Sequence, residues 1–226
     1  MTSDDNPPPF DSLRLDLPEG DTLSPRYDWR ARYVEEHTPW DLGGHHPGLE
    51  RWWAAEGQKL GIESALVPGC GRGHDVIFLA RAGLRVGAVD VVDLAAEPFV
   101  EELTERGGEF HLKNFLEWES GRDPAELGGP YDLVFEHTIF CAIEPAQRPA
   151  FGRAAAACVR PGGYLFSLLF PNDKPAEDGG PPHRAEPEQL AAALGDAFEL
   201  VHSNPSRALP RGRRQWRESR LLFRRR

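Results

Sequence analysis

The run Gly69-Cys70-Gly71-Arg72-Gly73 follows the apolar stretch Ala65-Leu66-Val67 and precedes VIFLARAG, so the sequence reads strand, glycine turn, helix. Glycines in such a turn accept positive φ and let backbone come close to a ligand. A dinucleotide site calls for G-x-G-x-x-G, but here the third glycine comes one residue early and His74 follows it. No Gly-Lys-Ser/Thr follows either, which excludes a P-loop. The G-x-G-x-G spacing suits a nucleoside without a pyrophosphate, of which S-adenosylmethionine is the common example. The second apolar run, Arg85 to Asp90, ends on an acid. In a doubly wound fold a carboxylate there accepts hydrogen bonds from ribose hydroxyls, and the glycine turn upstream favours that role over a plain turn aspartate. Asp75, in the first helical turn, either complements the helix dipole or meets a ligand.

The elements that must position these groups alternate. Tyr27 to Glu36 and Pro47 to Leu60 read as helical, the second with proline near its start. Strands are expected at Ala65–Val67, Arg85–Asp90, Glu109–Phe115, Tyr131–Glu136 and Tyr164–Phe170. Helices are expected at Val76–Gly83, Asp93–Arg106, Pro145–Val159 (stopped by Arg160-Pro161-Gly162-Gly163) and Glu186–Leu194. Two strands close the chain, near Phe198–Ser203 and Trp216–Phe223. This order predicts an α/β fold, a doubly wound, mostly parallel sheet whose last two strands form an antiparallel pair. Residues 1–25, acidic and Pro-rich without periodicity, read as a mobile segment, and 26–226 as one domain.

Length and composition agree with a single soluble domain: 226 residues, 40% of them hydrophobic, with a net charge of −10. No apolar run approaches the roughly 20 residues of a membrane helix, and the acidic start is unlike a signal peptide. The acidic balance argues against nucleic acid as a partner. From Ser206 onward nine arginines face one acid, Glu218. The apolar Leu221, Leu222 and Phe223 among them suit a final strand whose charges line a solvated edge. Cys70, Cys141 and Cys158 lack CxxC spacing, so neither a disulfide framework nor a structural zinc is expected, and a reducing cytoplasm is the natural compartment. His45, His46, His74, His111 and His183 read as surface or packing residues, with no metal-ligand spacing among them.

TPWD at Thr38–Asp41, LVPGCGRGHDV at Leu66–Val76, FCAIEPAQRPAF at Phe140–Phe151, PGGYL at Pro161–Leu165 and GGPPH at Gly179–His183 together resemble the thiopurine S-methyltransferase superfamily. The closer likeness is to its thiol/halide branch, the plant "harmless to ozone layer" type, over roughly residues 27–226. The resemblance implies a seven-stranded methyltransferase sheet with an N-terminal helical lid, S-adenosylmethionine as cofactor with S-adenosylhomocysteine as product, no metal, and a small-molecule acceptor; a monomer is expected, although the sequence itself does not supply the oligomeric state. It implies that Trp29 and Tyr33 cover the cofactor and that Trp40 touches cofactor and substrate. It implies further that Gly69, Cys70, Gly71 and Gly73 cradle the cofactor, that Asp90 takes the ribose, and that Asn114 and Phe115 hold the adenine. Asn114 stands where the branch usually has Asp. His137 stands after the fourth strand where the branch has FDYxxFCA, Phe170 replaces a Tyr, and Arg207 matches a loop arginine near the acceptor.

The implied reaction is in-line displacement at a sulfonium methyl, for which the protein chiefly aligns the two partners. Thiolate, hydrosulfide, thiocyanate and halide are already competent nucleophiles. A pocket of Trp40, Phe140 and Phe170 would strip water from them and favour the sulfonium. His137 either accepts a thiol proton, attracts an anion, or only packs beside the cofactor. Cys141 reads as a buried structural thiol. Alternatives are an aromatic-thiol or thiopurine enzyme, and a non-catalytic cofactor-binding domain.

Overall fold

The computed structural model describes residues 28–206 and 216–226. Inside its sheet lies β1 (Ser64–Pro68), buried along its whole length. A strand covered on both faces cannot alternate polar and apolar residues, which is why Ala65-Leu66-Val67 is continuous apolar sequence. β2 (Arg85–Asp90) and β4 (Tyr131–His137) flank β1 in parallel. β3 (Glu109–Leu112) adds beyond β2, and β5 (Val159–Leu169) beyond β4. β7 (Glu218–Arg225) then runs antiparallel between β5 and β6 (Phe198–Ser206). The order is β3-β2-β1-β4-β5-β7-β6, seven strands as the sequence predicted.

Two details of the last strands differ from the sequence expectation. β7 is not an edge, since β6 pairs along its outer side; Glu218 is buried against His46, Arg220 is half-buried, and Arg224 is exposed. The edge position goes to β6, where Leu200 and Val201 are exposed. β5 also begins at Val159 rather than Tyr164, because Val159 already pairs with Tyr131. The register then jumps to Leu133 opposite Tyr164, and Arg160–Gly163 is taken up as a bulge.

Helices cover both faces. α2 (Pro47–Ala55), α3 (His74–Arg81) and α4 (Val100–Glu105) lie on one face, around Trp52, Leu79, Phe99 and Leu103. The anticipated helix Asp93–Arg106 is divided, with a single 3₁₀ turn at Asp93–Ala95 before α4. α5 (Arg148–Cys158) and α6 (Pro187–Leu194) cover the other face, around Phe151, Leu165 and Leu190. Trp52 stacks on Phe166 at 4.0 Å between ring centres, tying α2 to β5. Burying a side chain of this size contributes about 1.5–3 kcal/mol. α1 (Trp29–Val34), capped by Asp28 through the Ala31 N–H, lies over the C-terminal ends of the strands and packs Tyr33 against Val92 and Ala95.

The chain turns from one half of the sheet to the other between β1 and β4. At that reversal the loops leave in opposite directions and open a crevice at the carboxyl ends of the strands. Gly69, Asp90, Asn114, Thr138 and Phe170 all lie just at or beyond those ends.

Candidate active site

A cavity of about 280 Å3 fills the crevice. Trp29, Tyr33, Trp40, Gly69, Asp90, Asn114, Phe115 and Phe170, all singled out from sequence, line it. A smaller cleft of about 50 Å3 adjoins it, bounded by Gly69, Cys70, Gly71, Arg72, His74, Asp75, His137 and Trp40. Trp40, Gly69 and Thr138 belong to both.

The glycine turn is built for close approach. Gly69, Gly71 and Gly73 have φ of 61°, 53° and 70°. A Cβ on Gly71 would stand 3.2 Å from the Tyr33 hydroxyl, and one on Gly73 would overlap the Phe99 ring. Gly73 thus serves the packing of α3 on Phe99 and lines neither cavity. Asp90 fixes the turn from the end of β2: Oδ2 accepts the Gly71 N–H at 2.8 Å and Oδ1 the Val92 N–H at 3.1 Å. Burial pushes its carboxyl above the ordinary range, against the backbone N–H groups of Gly71, Val92 and Val91, which pull it down. Asp90 lines the cavity, and a carboxylate has acceptor capacity beyond these backbone donors for a hydroxyl.

The lid is aromatic. Trp40 meets Trp29 at 5.5 Å and Tyr33 at 5.8 Å, both edge to face. The Arg72 guanidinium lies 5.7 Å from the Tyr33 ring centre, bringing a cation to the smaller cleft. Asn114 caps the 3₁₀ turn Phe115–Ser120, its Oδ1 accepting the Leu116 N–H at 3.1 Å. The amide oxygen expected to meet adenine is therefore already engaged once.

His137 lies away from the larger cavity. Its Nδ1 is 2.9 Å from Asp75 Oδ2, and its ring meets His46 edge-on at 4.7 Å. Asp75 Oδ1 accepts the His46 N–H at 2.7 Å. Burial opposes ionisation of Asp75, but the His137 ring and the His46 N–H outweigh it, and the carboxyl lies below its ordinary value. His46 in turn places Nε2 2.9 Å from Glu218 Oε2, both groups buried. Residues read as packing or strand-edge groups thus form a buried polar chain beneath the site. Glu136 extends this region: Ser167 Oγ donates to its Oε2, and Oε1 accepts the Phe140 N–H at 3.0 Å. Burial, with the like charge of Glu218 adding, pushes the Glu136 carboxyl up to about 7.

Phe140 does not face the cavity, contrary to expectation. It is fully buried, edge to face with Phe151 at 5.5 Å and under the Arg148 guanidinium at 4.7 Å. The chain crosses the crevice at Thr138, whose φ of 67° is rare for a β-branched residue. That turn sends Ile139 and Cys141 to the cavity and Phe140 into the core. Cys141, expected to be structural, is buried and yet lines the cavity. Phe170 faces Trp216 at 6.1 Å, and with Pro181 and Pro182 they form the end opposite Asp90. Arg207 and the segment 1–25 lie outside the described residues. Trp216, Pro182 and Thr138 were missed as site residues. Only the GGPPH motif carried a signal for Pro182, and none existed for the others. Among the described residues, no group of three or more His, Cys, Asp or Glu side chains could hold a metal ion.

Strand order and crevice together define a methyltransferase-type α/β fold with a nucleoside-sized cavity at its switch point. Comparison with known proteins narrows the class. The family model for thiopurine S-methyltransferase (TPMT) matches residues 25–221. A probable thiol methyltransferase 2 of Arabidopsis thaliana is 34% identical over 76% of this chain and 74% of its own length. A thiocyanate methyltransferase 1 of Brassica oleracea is 31% identical over 78% of this chain and 76% of its own. A thiopurine S-methyltransferase of Pseudomonas fluorescens is 28% identical over 79% of this chain and 85% of its own. In shape the chain is similar to a Burkholderia thailandensis 1,6-didemethyltoxoflavin-N1-methyltransferase solved with its substrate and S-adenosylhomocysteine: TM-score 0.64, 22% identity, 87% of this chain and 86% of that one. The chain belongs to the thiopurine S-methyltransferase family of S-adenosylmethionine-dependent methyltransferases.

Proposed function

We propose that this protein transfers the methyl group of S-adenosylmethionine to a small soft nucleophile, a thiol, hydrosulfide, thiocyanate or halide, as a cytoplasmic monomer. One observation carries the reading: a single aromatic-walled cavity runs from Asp90 to Phe170 and Trp216 at the switch point of the sheet. The residues present fit the cofactor. Asp90 offers buried acceptors for ribose hydroxyls, and Asn114 and Phe115 bound the adenine side. The smaller cleft offers the charged groups of Arg72 and Asp75, with the His74 ring beside them, for an amino-acid end. When bound, the cofactor supplies an electrophilic methyl on a positively charged sulfur, open to in-line displacement.

The chain's own residues do the rest. Trp29, Tyr33 and Trp40 cover the cofactor and exclude water, and aromatic faces attract a sulfonium. Phe170, Trp216, Pro181 and Pro182 give the acceptor an apolar berth, which favours weakly hydrated, polarizable anions over strongly hydrated ones. No strong base is needed for such acceptors. His137, turned toward Asp75 in the smaller cleft, is positioned to brace the cofactor side rather than to take a proton in the acceptor berth. An aromatic thiol is the second reading, favoured by the size of the aromatic berth. The three free cysteines suit a reducing compartment, and no described helix is long and apolar enough to cross a membrane.

The test is formation of S-adenosylhomocysteine and methylated product with hydrosulfide, thiocyanate, iodide and benzenethiol in parallel. Turnover with at least one is expected. Cofactor binding without turnover on any of them would leave a non-catalytic binding domain.

A further inference from the structure

One buried cation has no part in the account so far. Lys174, in the segment after β5, is 6% exposed. Its Nζ donates to the carbonyl oxygens of Gly179 and Pro182, both at 2.8 Å, and lies 5.3 Å from the centre of the Trp216 ring. These contacts belong to the wall of the cavity opposite Asp90, where Pro181, Pro182 and Trp216 line the space. Carbonyl oxygens and a ring face satisfy an ammonium's donors without cancelling its charge. Among the described residues, no carboxylate forms an ion pair with it. Its sequence neighbour Asp173 is turned to Arg217, accepting that residue's N–H at 2.6 Å and lying 3.5 Å from its Nε. His183, nearby, lies below its ordinary pKa chiefly through burial, with Glu144 opposing and Arg148 and then Lys174 adding smaller pushes in the same direction as burial.

Keeping a charge out of water is costly, and a neutral amide could bridge two carbonyls without that cost. The charge therefore calls for a use of its own. We infer that Lys174 is a positioning and selectivity residue: it clamps Pro182 against Trp216 and makes that end of the cavity electropositive, so that the berth takes soft anions in preference to neutral molecules of the same size. The ammonium stands behind the wall rather than in the berth, so it attracts the anion without ion-pairing to it and blunting its reactivity. The inference rests on the methyl-transfer reading only for what the anion is used for.

The experiment is a calorimetric titration of thiocyanate into the protein saturated with S-adenosylhomocysteine, in low-chloride buffer, for wild type, Lys174→Gln and Lys174→Arg. Gln keeps N–H donors for the two carbonyls and loses the charge, whereas Arg keeps the charge. Thiocyanate binding should weaken about tenfold or more in Lys174→Gln and stay within threefold in Lys174→Arg. Affinity for S-adenosylhomocysteine should hold within twofold in all three, which also reports that the fold is intact. In turnover, Lys174→Gln should raise KM for thiocyanate about tenfold with kcat changed less than threefold. A comparison in wild type alone needs no variant: thiocyanate should bind at least tenfold more tightly than acetonitrile, a neutral linear molecule of similar size. Three results would overturn the assignment: thiocyanate binding within twofold of wild type in Lys174→Gln, equal losses in the Gln and Arg variants, or no preference of wild type for the anion. Wild type that binds thiocyanate through Lys174 yet makes no methylated thiocyanate would support the charge assignment and remove thiocyanate from the acceptors of the methyl-transfer reading.

Discussion

The cavity's two ends are made by different means. At Asp90 the wall comes from the ends of β1 and β2 and the turn between β1 and α3, about twenty residues of chain. The carboxylate grips its own neighbours, Gly71 and Val92, through their N–H groups. At Phe170 the wall is assembled from loops far apart in sequence. The His183 N–H donates to the Cys141 carbonyl, Lys174 reaches Pro182, and Ser219 Oγ donates to Asn172. The first end is a product of sheet geometry and shared by many proteins with this topology. The second depends on side chains that hold loops, which is where a change of acceptor can be made without disturbing the sheet.

The comparison can be broken by damaging each end in turn. The largest effect is expected from Gly73→Ala, which puts a Cβ into the Phe99 ring at a φ of 70°. Left-handed backbone and overpacking together cost about 2–5 kcal/mol. Thermal unfolding should shift down by about 4–20 °C for a chain of this length. An unchanged midpoint would mean the glycine turn is not the rigid end.

Next is Glu136, which holds the Phe140 N–H under the loop end. Its carboxyl is raised from 4.5 to about 7, so the folded state keeps a proton that the unfolded chain releases in this window. Stability from this group is therefore present below about pH 4.5 and is lost as pH rises to about 7, by about 3 kcal/mol. Glu136→Gln has no such proton to lose. Denaturant unfolding of both proteins at pH 5 and pH 8 should show the variant gaining on wild type as pH rises. A difference independent of pH would place the Glu136 carboxyl in the ordinary range.

Asp90→Ala should weaken S-adenosylhomocysteine about 10- to 100-fold by calorimetry, since hydrogen bonds to a charged group are worth about 1.5–3 kcal/mol each. An unchanged dissociation constant would reduce Asp90 to a turn residue. The smallest effect is expected from His137→Phe. Because His137 lies in the smaller cleft against Asp75, the loss should be under tenfold and equal for a thiol and for iodide at each pH. A loss confined to the thiol, together with disappearance of its acid limb near the ordinary histidine pKa of about 6–7, would restore a proton-transfer role.

This contrast also explains what could be read from sequence. Gly69 to Gly73 and Asp90 are legible because turn, ligand approach and carboxylate lie within one strand-turn-helix-strand unit. Phe140 was misread because it adjoins residues that do reach the cavity, and only the positive φ of Thr138 decides which of them turn inward. Trp216 and Lys174 lie on separate segments and meet only through tertiary packing. The buried position of β7 was equally hidden: RESRLLFRRR carries charge suited to an edge, and only its pairing with β6 and the packing of His46 on Glu218 enclose it.

The central claim is that the berth at Phe170 and Trp216 takes soft nucleophiles. It is tested most directly by following S-adenosylhomocysteine release from S-adenosylmethionine with thiocyanate or hydrosulfide in one series, and with a small amine or carboxylate in another. Release driven by the sulfur nucleophiles, with the amine and carboxylate at background, is the predicted result. Release with the amine or carboxylate and none with sulfur would contradict it.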